Sequence, residues 1–411
     1  MAPCPPVTVP PPTSGRRLRV LSLSTVFPRE DRPTHGLFVE ERLARCAEHA
    51  DVTVLAPVPW QRSLAGPNRP TERRGLRIHR PRFWYLPRFF KGLDGAALLR
   101  SVRGLAQRLH AEQPFDLIDA HFAWPEGAAA LGLRQTLGIP VTVTLRGTLE
   151  WLAEDPARGP RMAEVVRTAD RIIAVSHDLA ERAHALGAQP ERVRVIPNGV
   201  DIGRFRPRDR SEARRTLGLA PEGPLLVSVG HLSPRKGFQD LVSVLGTLRA
   251  SHPGAALALV GGPGAEGDNR ADLHELARAN GVGDAVHFLG PRSPDGVADA
   301  LAAADLFAFA SRYEGCPNVV LEALASGRPV VSSAVGEVPY LLPDAGGAVY
   351  GRPEDREALL TALRATLDRT WEPEAIRACV AHRTWDRAAD EVLEIWSAAS
   401  QDGASREVSI P

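Results

Sequence analysis

The chain has 411 residues, which corresponds to two or three domains at roughly 150 residues per domain. Its 50 Lys and Arg residues are balanced by 49 Asp and Glu residues, and a formal charge of +1 excludes a nucleic-acid-binding surface that covers the whole protein. The 44% hydrophobic and 24% charged residues are typical of a globular protein and exclude a disordered one.

The N-terminal residues 1–16 are predicted to form a disordered leader, because they are rich in proline and lack the basic start and apolar core of a secretion signal. No run approaches the roughly 18 uninterrupted apolar residues of a transmembrane helix, so any membrane contact is expected to be peripheral. The four cysteines are scattered and have no zinc-binding spacing. This pattern favours a reducing, cytoplasmic location.

Short apolar runs alternate with longer amphipathic stretches in the first half of the chain. The runs predicted to be buried strands are residues 18–25, 52–57, 117–121, 141–145 and 172–176. Helices are predicted between them, for example at 39–50 and 95–113. This alternation predicts a parallel sheet that is covered by helices on both faces.

The same alternation then starts again. The second series of predicted strands is 225–230, 256–261, 286–290, 306–311 and 329–333. A segment rich in Pro, Gly, Asp and Arg, residues 197–210, separates the two series as a linker. The predicted fold class is therefore α/β, with two doubly wound, Rossmann-like domains at 17–200 and 201–383 and a ligand site in the cleft between them. A C-terminal helix, 384–398, is expected to cross back to the first domain, and 399–411 to form a tail.

The most informative segment is SRYEGCPNVVLEALASG at 311–327. A predicted strand ends, a Gly-Cys-Pro turn follows, and a helix is predicted from about Asn318. The free N–H groups at a helix start suit a phosphate, and Pro317 fits just before it because it has no N–H to leave unused. Glu314 in the loop and Glu322 on the helix can accept hydrogen bonds from sugar or ribose hydroxyls. The alternative is a capped helix that carries two exposed glutamates.

This segment resembles the donor-site motif of retaining family 4 glycosyltransferases of the GT-B fold, in which two glutamates are separated by seven residues. Other segments resemble further motifs of that family and occur in the same order. They are HFAWPEG at 121–127, ADRIIAVS at 169–176, VIPNGVD at 195–201, SVGHLSPRKGF at 228–238 and LVGGPG at 259–264. The match extends over about residues 18–397, so the resemblance implies both the fold and the enzyme class.

Lys236, one of only two lysines with Lys91, lies in a turn after a predicted strand, where its compact charge suits a phosphate. The family usually has arginine at the place of His231, so either His231 or Arg235 is expected to supply that contact. Gly36 is implied to lie beside the donor diphosphate, with an ordinary loop glycine as the alternative. The implied donor-binding residues are Gly36, His231, Arg235, Lys236, Glu314, Cys316, Pro317, Asn318, Val319 and Glu322.

His121 ends a predicted strand. The resemblance implies that it hydrogen-bonds the donor sugar near the reacting carbon and is catalytic together with Glu314; the alternative is a structural histidine. Arg146 stands where many relatives have histidine. An arginine there suggests an anionic or phosphate-bearing part of the acceptor or donor, or a pairing with Glu150.

Residues 69–91 carry eight basic residues and one acidic residue among five aromatic ones. This mixture fits an anionic membrane surface, an acceptor site for a lipid-linked or acidic glycan, or a strand and loop whose aromatics pack into the first domain. Nucleic acid is a poorer fit, because no recognised module surrounds the segment. The acceptor-binding candidates are Arg82, Trp84, Trp124 and Arg146.

The sequence has no Asp-x-Asp triplet, so a metal-independent site is predicted, in which Lys236, Arg235 and helix N-termini neutralise the leaving diphosphate. No cofactor or metal ion is expected. The predicted function is retaining transfer of a sugar from a UDP- or GDP-linked donor to a glycan or lipid-linked acceptor in polysaccharide or glycoconjugate biosynthesis. A cytoplasmic enzyme at the inner face of the plasma membrane is expected. The alternatives are a non-catalytic partner protein that binds nucleotide sugars and a GT-B sugar-nucleotide epimerase.

Overall fold

A computed structural model of the protein describes residues 16–61, 70–86, 89–264 and 267–407. The predicted leader therefore lies outside the described residues except for Arg16, and so do residues 69, 87 and 88 of the basic and aromatic segment and the end of the predicted tail. The chain divides into two compact units. Unit 1 comprises the residues up to Asn198 and those from Trp385 onwards, and unit 2 comprises Gly199–Thr384.

The described residues form sixteen strands. In chain order they are β1 (Arg19–Leu23), β2 (Asp51–Leu55), β3 (Val58–Pro59), β4 (Thr71–Arg73), β5 (Leu76–His79), β6 (Arg82–Phe83), β7 (Leu117–His121), β8 (Val141–Leu145), β9 (Arg171–Ala174), β10 (Val193–Val195), β11 (Leu225–Val229), β12 (Ala256–Val260), β13 (Val286–Gly290), β14 (Leu306–Phe309), β15 (Val330–Ser332) and β16 (Gly347–Val349).

Fifteen α-helices connect the described strands. They are α1 (Leu37–Cys46), α2 (Asp94–Glu112), α3 (Ala128–Leu137), α4 (Thr148–Leu152), α5 (Gly159–Thr168), α6 (His177–Ala185), α7 (Arg210–Leu217), α8 (Phe238–Ser251), α9 (Arg270–Ala279), α10 (Pro294–Ala303), α11 (Asn318–Ala325), α12 (Val338–Leu341), α13 (Arg356–Leu367), α14 (Pro373–Ala378) and α15 (Trp385–Glu407). Within the described part of the chain, none of the helices combines the length and the apolar character needed to cross a membrane.

Unit 1 is built on an eight-stranded sheet in the order β10-β9-β8-β7-β1-β2-β5-β4. All neighbouring strands are parallel except β4, which pairs antiparallel with β5 at one edge. The inner strands are buried over nearly their whole length, as their continuous apolar sequences require in a sheet covered on both faces. Helix α15 packs on α1, and its fully buried Trp396 belongs to the same apolar core as Val20 and Leu43.

Unit 2 has a six-stranded, fully parallel sheet in the order β13-β12-β11-β14-β15-β16. Its core lies between this sheet and helices such as α8 and α13, with Leu257, Phe238 and Leu363 fully buried. Side-chain caps begin several helices at the residues that favour this role. Asp209 accepts a hydrogen bond from Glu212 N (2.7 Å) at the start of α7, and Ser293 does the same for α10.

The predicted α/β fold with two doubly wound, parallel sheets is confirmed. The units divide at Asn198–Gly199 and Thr384–Trp385, whereas the sequence predicted borders after residues 200 and 383. The predicted tail from residue 399 is helical as far as Glu407, and tertiary contacts hold its start, because Ala399 is buried and Asp402 pairs with Arg171. The hairpin of β4 and β5 and the short pair of β3 and β6 were not predicted as strands.

Candidate functional site

The strand order of unit 2 reverses between β11 and β14, which is where open parallel sheets bind their ligands beyond the carboxyl ends of the strands. Two loops with predicted site residues leave the sheet at this point. The first runs from Gly230 to Gly237 and leads into α8. Gly237 has φ of +69°, and a side chain there would overlap the carbonyl oxygen of Ala310, so this tight turn requires glycine. The turn puts Lys236 immediately before the N-terminus of α8.

Three predicted donor-binding residues meet at one carboxylate oxygen of the second loop. Oε1 of Glu314 lies 2.5 Å from Nζ of Lys236 and 3.2 Å from Nη1 of Arg235, and it accepts a hydrogen bond from Oγ of Ser311 at 2.7 Å. Burial raises the pKa of Glu314, but the charges of Lys236 and Arg235 outweigh that effect and hold it below its usual range. Glu314 is therefore ionised and holds two cations together.

The aromatic residues around this cluster orient the cations. Nζ of Lys236 lies 5.6 Å from the ring centre of Phe309, and the guanidinium of Arg235 lies 5.0 Å from that of Tyr313. Arg235 also donates to the carbonyl oxygen of Tyr313 at 3.1 Å. Both cations are thus fixed at the carboxyl edge of the sheet, where an incoming anion would compete with Glu314 for them.

The helix predicted from about Asn318 begins at Asn318, as α11, directly after Pro317. Cys316 and Pro317 are buried, whereas Asn318 and Val319 are partly exposed in the first turn. The N-cap position, Pro317, makes no side-chain capping hydrogen bond, and the partial positive charge of a helix N-terminus suits an anion.

Glu322 lies further along α11 and is partly exposed. Burial raises its pKa to about 7, and the nearby charge of Arg204 opposes this shift. Arg204 itself pairs with Asp201 and Asp295, at 3.1 and 2.9 Å. The charge that acts on the pKa of Glu322 is thus that of Arg204.

His231 is exposed at the start of the first loop and packs against Gly264, where a Cβ would lie 2.9 Å from that of His231. Arg235 shares the Glu314 carboxylate with Lys236, whereas the contact predicted for His231 stays a prediction.

Sequence reasoning missed the residues that hold the second loop in position. Buried Asp240 on α8 accepts hydrogen bonds from Arg312 at 3.2 Å and from Arg356 at 2.9 Å. Gly336 and Glu337 lie against the backbone of Glu314 and Gly315, and Glu337 N donates to Gly315 O at 2.8 Å. These partners come from distant parts of the chain, and no local pattern indicates them.

The strand order of unit 1 reverses between β1 and β7. Gly36 caps α1 after the β1 loop with φ of +82°, and a side chain there would overlap the carbonyl oxygen of Val26. The backbone therefore requires glycine at this position. Its predicted contact with the donor diphosphate stays a prediction.

His121 ends β7 and has no exposed surface. Its Nε2 lies 3.0 Å from Oδ2 of Asp119, and its Nδ1 lies 3.4 Å from Nη2 of Arg146. These partners assign the proton to Nε2. Burial lowers the pKa of His121, and Asp119 opposes this shift, so the ring is neutral. In this arrangement His121 is a buried histidine with two protein partners, and its contact with a donor sugar stays a prediction.

Asp119 was missed by sequence reasoning, although it lies two residues before His121 and hence on the same face of β7. It is buried and accepts hydrogen bonds from Ser22, Thr142 and Trp396, at 3.2, 3.0 and 3.3 Å. Burial raises its pKa, but His121 and these donors outweigh that effect and hold it below the usual range. A single buried carboxylate thus joins β1, β7, β8 and α15.

The predicted acceptor-binding residues lie in different environments. Arg146 is buried, donates to Oδ1 of Asn198 at 3.3 Å and lies over the ring of Phe38 at 4.5 Å. The ring of Trp124 is buried against Gly95 at the start of α2, where glycine leaves room for it, and its contact with an acceptor stays a prediction. Trp84 is 62% exposed and Arg82 is partly exposed, and both line a groove beside α2.

Among the residues that the structure describes, no three His, Cys, Asp or Glu side chains come together as ligands for a metal ion.

Two family models match the chain. The model described as Glycosyltransferase Family 4 matches residues 39–204, and the one described as Glycosyl transferases group 1 matches residues 209–378. The D-inositol 3-phosphate glycosyltransferase of Actinosynnema mirum is 36% identical over 72% of this chain and 75% of its own length. The protein of the same name from Acidothermus cellulolyticus is 32% identical over 86% and 81%.

Solved structures agree on the fold. Sucrose-phosphate synthase from Thermosynechococcus elongatus superposes with a TM-score of 0.73 at 22% identity, over 95% of this chain and 98% of its own. HepE from Anabaena, solved in complex with UDP, has a TM-score of 0.73 at 20% identity, over 93% and 100%. The ordered motifs, the two doubly wound sheets and the extent of these matches lead to one conclusion: the chain belongs to glycosyltransferase family 4 and is a glycosyltransferase of the GT-B fold.

Proposed function

We propose that this glycosyltransferase transfers a sugar from a nucleotide-diphosphate sugar, with retention of configuration and without a metal ion, to a glycan or lipid-linked acceptor. The observation that carries the proposal is the convergence of Lys236 and Arg235 on Oε1 of Glu314 where the strand order of unit 2 reverses. Two fixed cations beside the N-termini of α8 and α11 suit a diphosphate.

The donor is proposed to be linked to UDP or GDP. Its diphosphate replaces the Glu314 carboxylate as the partner of Lys236 and Arg235, and the positive end of the α11 dipole further stabilises the negative charge. Arg235 takes the place of the family's usual diphosphate-binding arginine, which leaves His231 outside the contact. Glu314, released from the cations, accepts hydrogen bonds from the sugar hydroxyls, and Glu322 accepts them from the ribose.

In the proposed reaction the acceptor hydroxyl attacks the anomeric carbon from the face that the diphosphate leaves. The bond from that carbon to the diphosphate oxygen breaks, and a bond to the acceptor oxygen forms on the same face. The hydroxyl proton moves to a diphosphate oxygen, so no protein base is required. Lys236, Arg235 and the helix N-termini stabilise the charge on the departing diphosphate, which is the task of a metal ion in other transferases.

A second candidate acceptor is a soluble inositol phosphate. It is supported by the two relatives named D-inositol 3-phosphate glycosyltransferase, which are 36% and 32% identical to this chain. The buried Arg146 supplies a positive charge in unit 1. A phosphate on the acceptor would be attracted to that charge.

The enzyme is proposed to act in the cytoplasm, in peripheral contact with the inner face of the plasma membrane. Cys46, Cys316 and Cys379 are free thiols, as is usual for proteins of a reducing compartment. Most of the exposed large apolar side chains among the described residues lie in one segment of unit 1, which gives such a contact an apolar surface.

The proposal is tested by incubating the protein with UDP- and GDP-linked sugars and measuring nucleotide release, with and without glycan, lipid-linked and inositol phosphate acceptors. Release is expected with one donor, in the presence of a chelator, and should disappear in Glu314→Ala. NMR of the product is expected to give the same anomeric configuration as the donor. Tight nucleotide binding without turnover would instead favour a non-catalytic binding partner, and an altered sugar without acceptor would favour an epimerase.

A further inference from the structure

An open groove of about 700 Å³ runs along the outer face of α2 in unit 1. One wall is α2 itself, and the other is the segment from β5 to β6 and beyond. Ser101 ties the two walls together, because its Oγ accepts a hydrogen bond from the backbone N–H of Trp84 at 3.4 Å. The residues of the groove that carry the inference are His79, Arg82, Trp84, Arg100, Gly104 and Arg108.

Arg100, Gly104 and Arg108 follow one another at intervals of four residues, so they lie on one stripe of α2, about 6 Å apart along the helix axis. Gly104 leaves an open floor between the two arginines, since a Cβ there would meet only Nη1 of Arg108, at 3.8 Å. Both arginines are exposed, and neither has an ion pair within the described part of the chain.

The opposite wall adds one positive group and one neutral imidazole, because burial lowers the pKa of His79. Arg82 lines it, and so does His79, whose Nε2 is buried without a hydrogen-bond partner among the described residues. No Asp or Glu is found among the described residues that line the groove. The three arginines and the histidine, with no acidic side chain beside them in the described lining, form a binding site for an anion. Guanidinium groups match the geometry of phosphate oxygens.

The rim of this groove is apolar and exposed. Trp84 stacks on Trp60 with 5.6 Å between the ring centres. Of the nine large apolar side chains that are exposed among the described residues, six lie between residues 60 and 93. They are Trp60, Trp84, Leu86, Phe89, Phe90 and Leu93. Aromatic rings beside arginines are typical of surfaces that rest at the boundary between lipid headgroups and hydrocarbon.

We infer that the α2 groove binds the phosphate of an anionic phospholipid headgroup, while the aromatic rim inserts into the membrane interface. The inference makes the membrane contact of the proposed function specific, and it rests on that contact. It assigns the contact to residues that take no part in donor binding. The groove positions unit 1 on the membrane, where a lipid-linked acceptor is found.

The experiment is co-sedimentation of the full chain with vesicles of phosphatidylcholine alone or with added phosphatidylglycerol. Wild-type protein is expected to bind only the vesicles that contain phosphatidylglycerol. Arg100→Glu with Arg108→Glu should lower this binding at least roughly 10-fold, since each basic residue near an anionic surface contributes several-fold. Arg103→Glu is the matched control, because Arg103 is exposed on the same helix but does not line the groove.

A second pair of variants tests the floor of the groove without removing an arginine. Gly104→Glu puts a negative charge between Arg100 and Arg108 and should abolish binding, whereas Gly104→Ala should retain most of it. Both substitutions favour the helix over glycine, so α2 is expected to remain folded.

If Arg103→Glu and the groove variants lost vesicle binding equally, the inference would be overturned, because general surface charge would then explain the binding. Failure of wild-type protein to bind either kind of vesicle would overturn it as well. Release of the protein from vesicles by inorganic phosphate at constant ionic strength would assign the groove to soluble phosphate compounds instead. Donor hydrolysis in the same variants separates the two proposals: it is expected to be unchanged, and its absence in wild-type protein would count against the proposed function alone.

Discussion

At the scale of single residues, Glu314 holds the two cations that the proposed donor requires. Its Oε1 is bound by Lys236, Arg235 and Ser311 at once. Glu314→Ala is therefore expected to raise the affinity for a nucleoside diphosphate roughly 3- to 10-fold, because the cations no longer have to be released and a negative charge is lost. Sugar transfer should nevertheless disappear. Calorimetric titration of UDP and GDP measures the first effect, and weaker binding by the variant would contradict it.

Asp119 is the residue whose loss unit 1 should tolerate least. It is the buried anion among His121, Ser22, Thr142 and Trp396. Asp119→Asn is expected to lower the free energy of unfolding by about 3 kcal/mol, since an amide has one acceptor oxygen instead of two and leaves buried donors without a partner. Denaturant titration measures this loss. Glu48→Gln, which breaks only an exposed pair with Arg45, should change stability by less than about 1 kcal/mol, and equal effects would contradict the assignment.

At the scale of the elements, Glu126 joins the loop after β1 to the start of α3. Its Oε1 accepts hydrogen bonds from N and Oγ1 of Thr25, at 2.9 and 2.5 Å, and its Oε2 is buried without a partner among the described residues. Burial raises the pKa of Glu126 from 4.5 to about 7. Between these two pH values the folded chain keeps the proton and the unfolded chain releases it, so rising pH favours unfolding.

Glu126→Gln should therefore stabilise unit 1 at alkaline pH while keeping the hydrogen bonds to Thr25. The expected gain over wild type grows from pH 4.5 to about 7 and levels off at about 3 kcal/mol. Thermal unfolding of both proteins across this pH range measures the difference between them. Glu322 also has a pKa raised to about 7, so it makes the stability of both proteins depend on pH. Subtracting one stability from the other at each pH removes this shared contribution. A difference that is independent of pH would show that Glu126 does not titrate as described.

The long elements could be predicted because their apolar patterns reflect burial on both faces of a parallel sheet. The predicted strands at 117–121 and 141–145 coincide with β7 and β8, and α11 begins at the predicted Asn318. The edge hairpin of β4 and β5 was missed because Thr71–Arg73 is polar and exposed, so it has no apolar signal. Its pairing depends on the neighbouring strand and not on its own sequence.

The site was predictable where it follows local motifs and not where it depends on distant partners. Lys236 and Glu314 were identified from two short segments that the fold brings together. The contacts of Arg146 with Asn198 and of Arg312 with Asp240 join residues far apart in the chain. The packing of Trp124 against Gly95 likewise joins residues from separate parts of the chain.

At the scale of the whole molecule, the two units repeat one plan. In each, a glycine with positive φ begins a helix after the strand where the order of the sheet reverses: Gly36 before α1 and Gly237 before α8. The two units also each carry a cluster of positive side chains, although the formal charge of the whole chain is only +1. Arg100 and Arg108 belong to one such group in unit 1, and Lys236 belongs to the other in unit 2.

The most direct test of the account compares the only two lysines of the chain. Lys236 is bound to Glu314 in unit 2, and Lys91 is bound to Asp94 in unit 1. Calorimetric titration with UDP and GDP is expected to give at least roughly 10-fold weaker binding for Lys236→Ala, since hydrogen bonds to charged groups contribute about 1.5–3 kcal/mol. Lys91→Ala should bind as wild type does. Wild-type affinity in Lys236→Ala, or an equal loss in both variants, would contradict the donor site proposed for this enzyme.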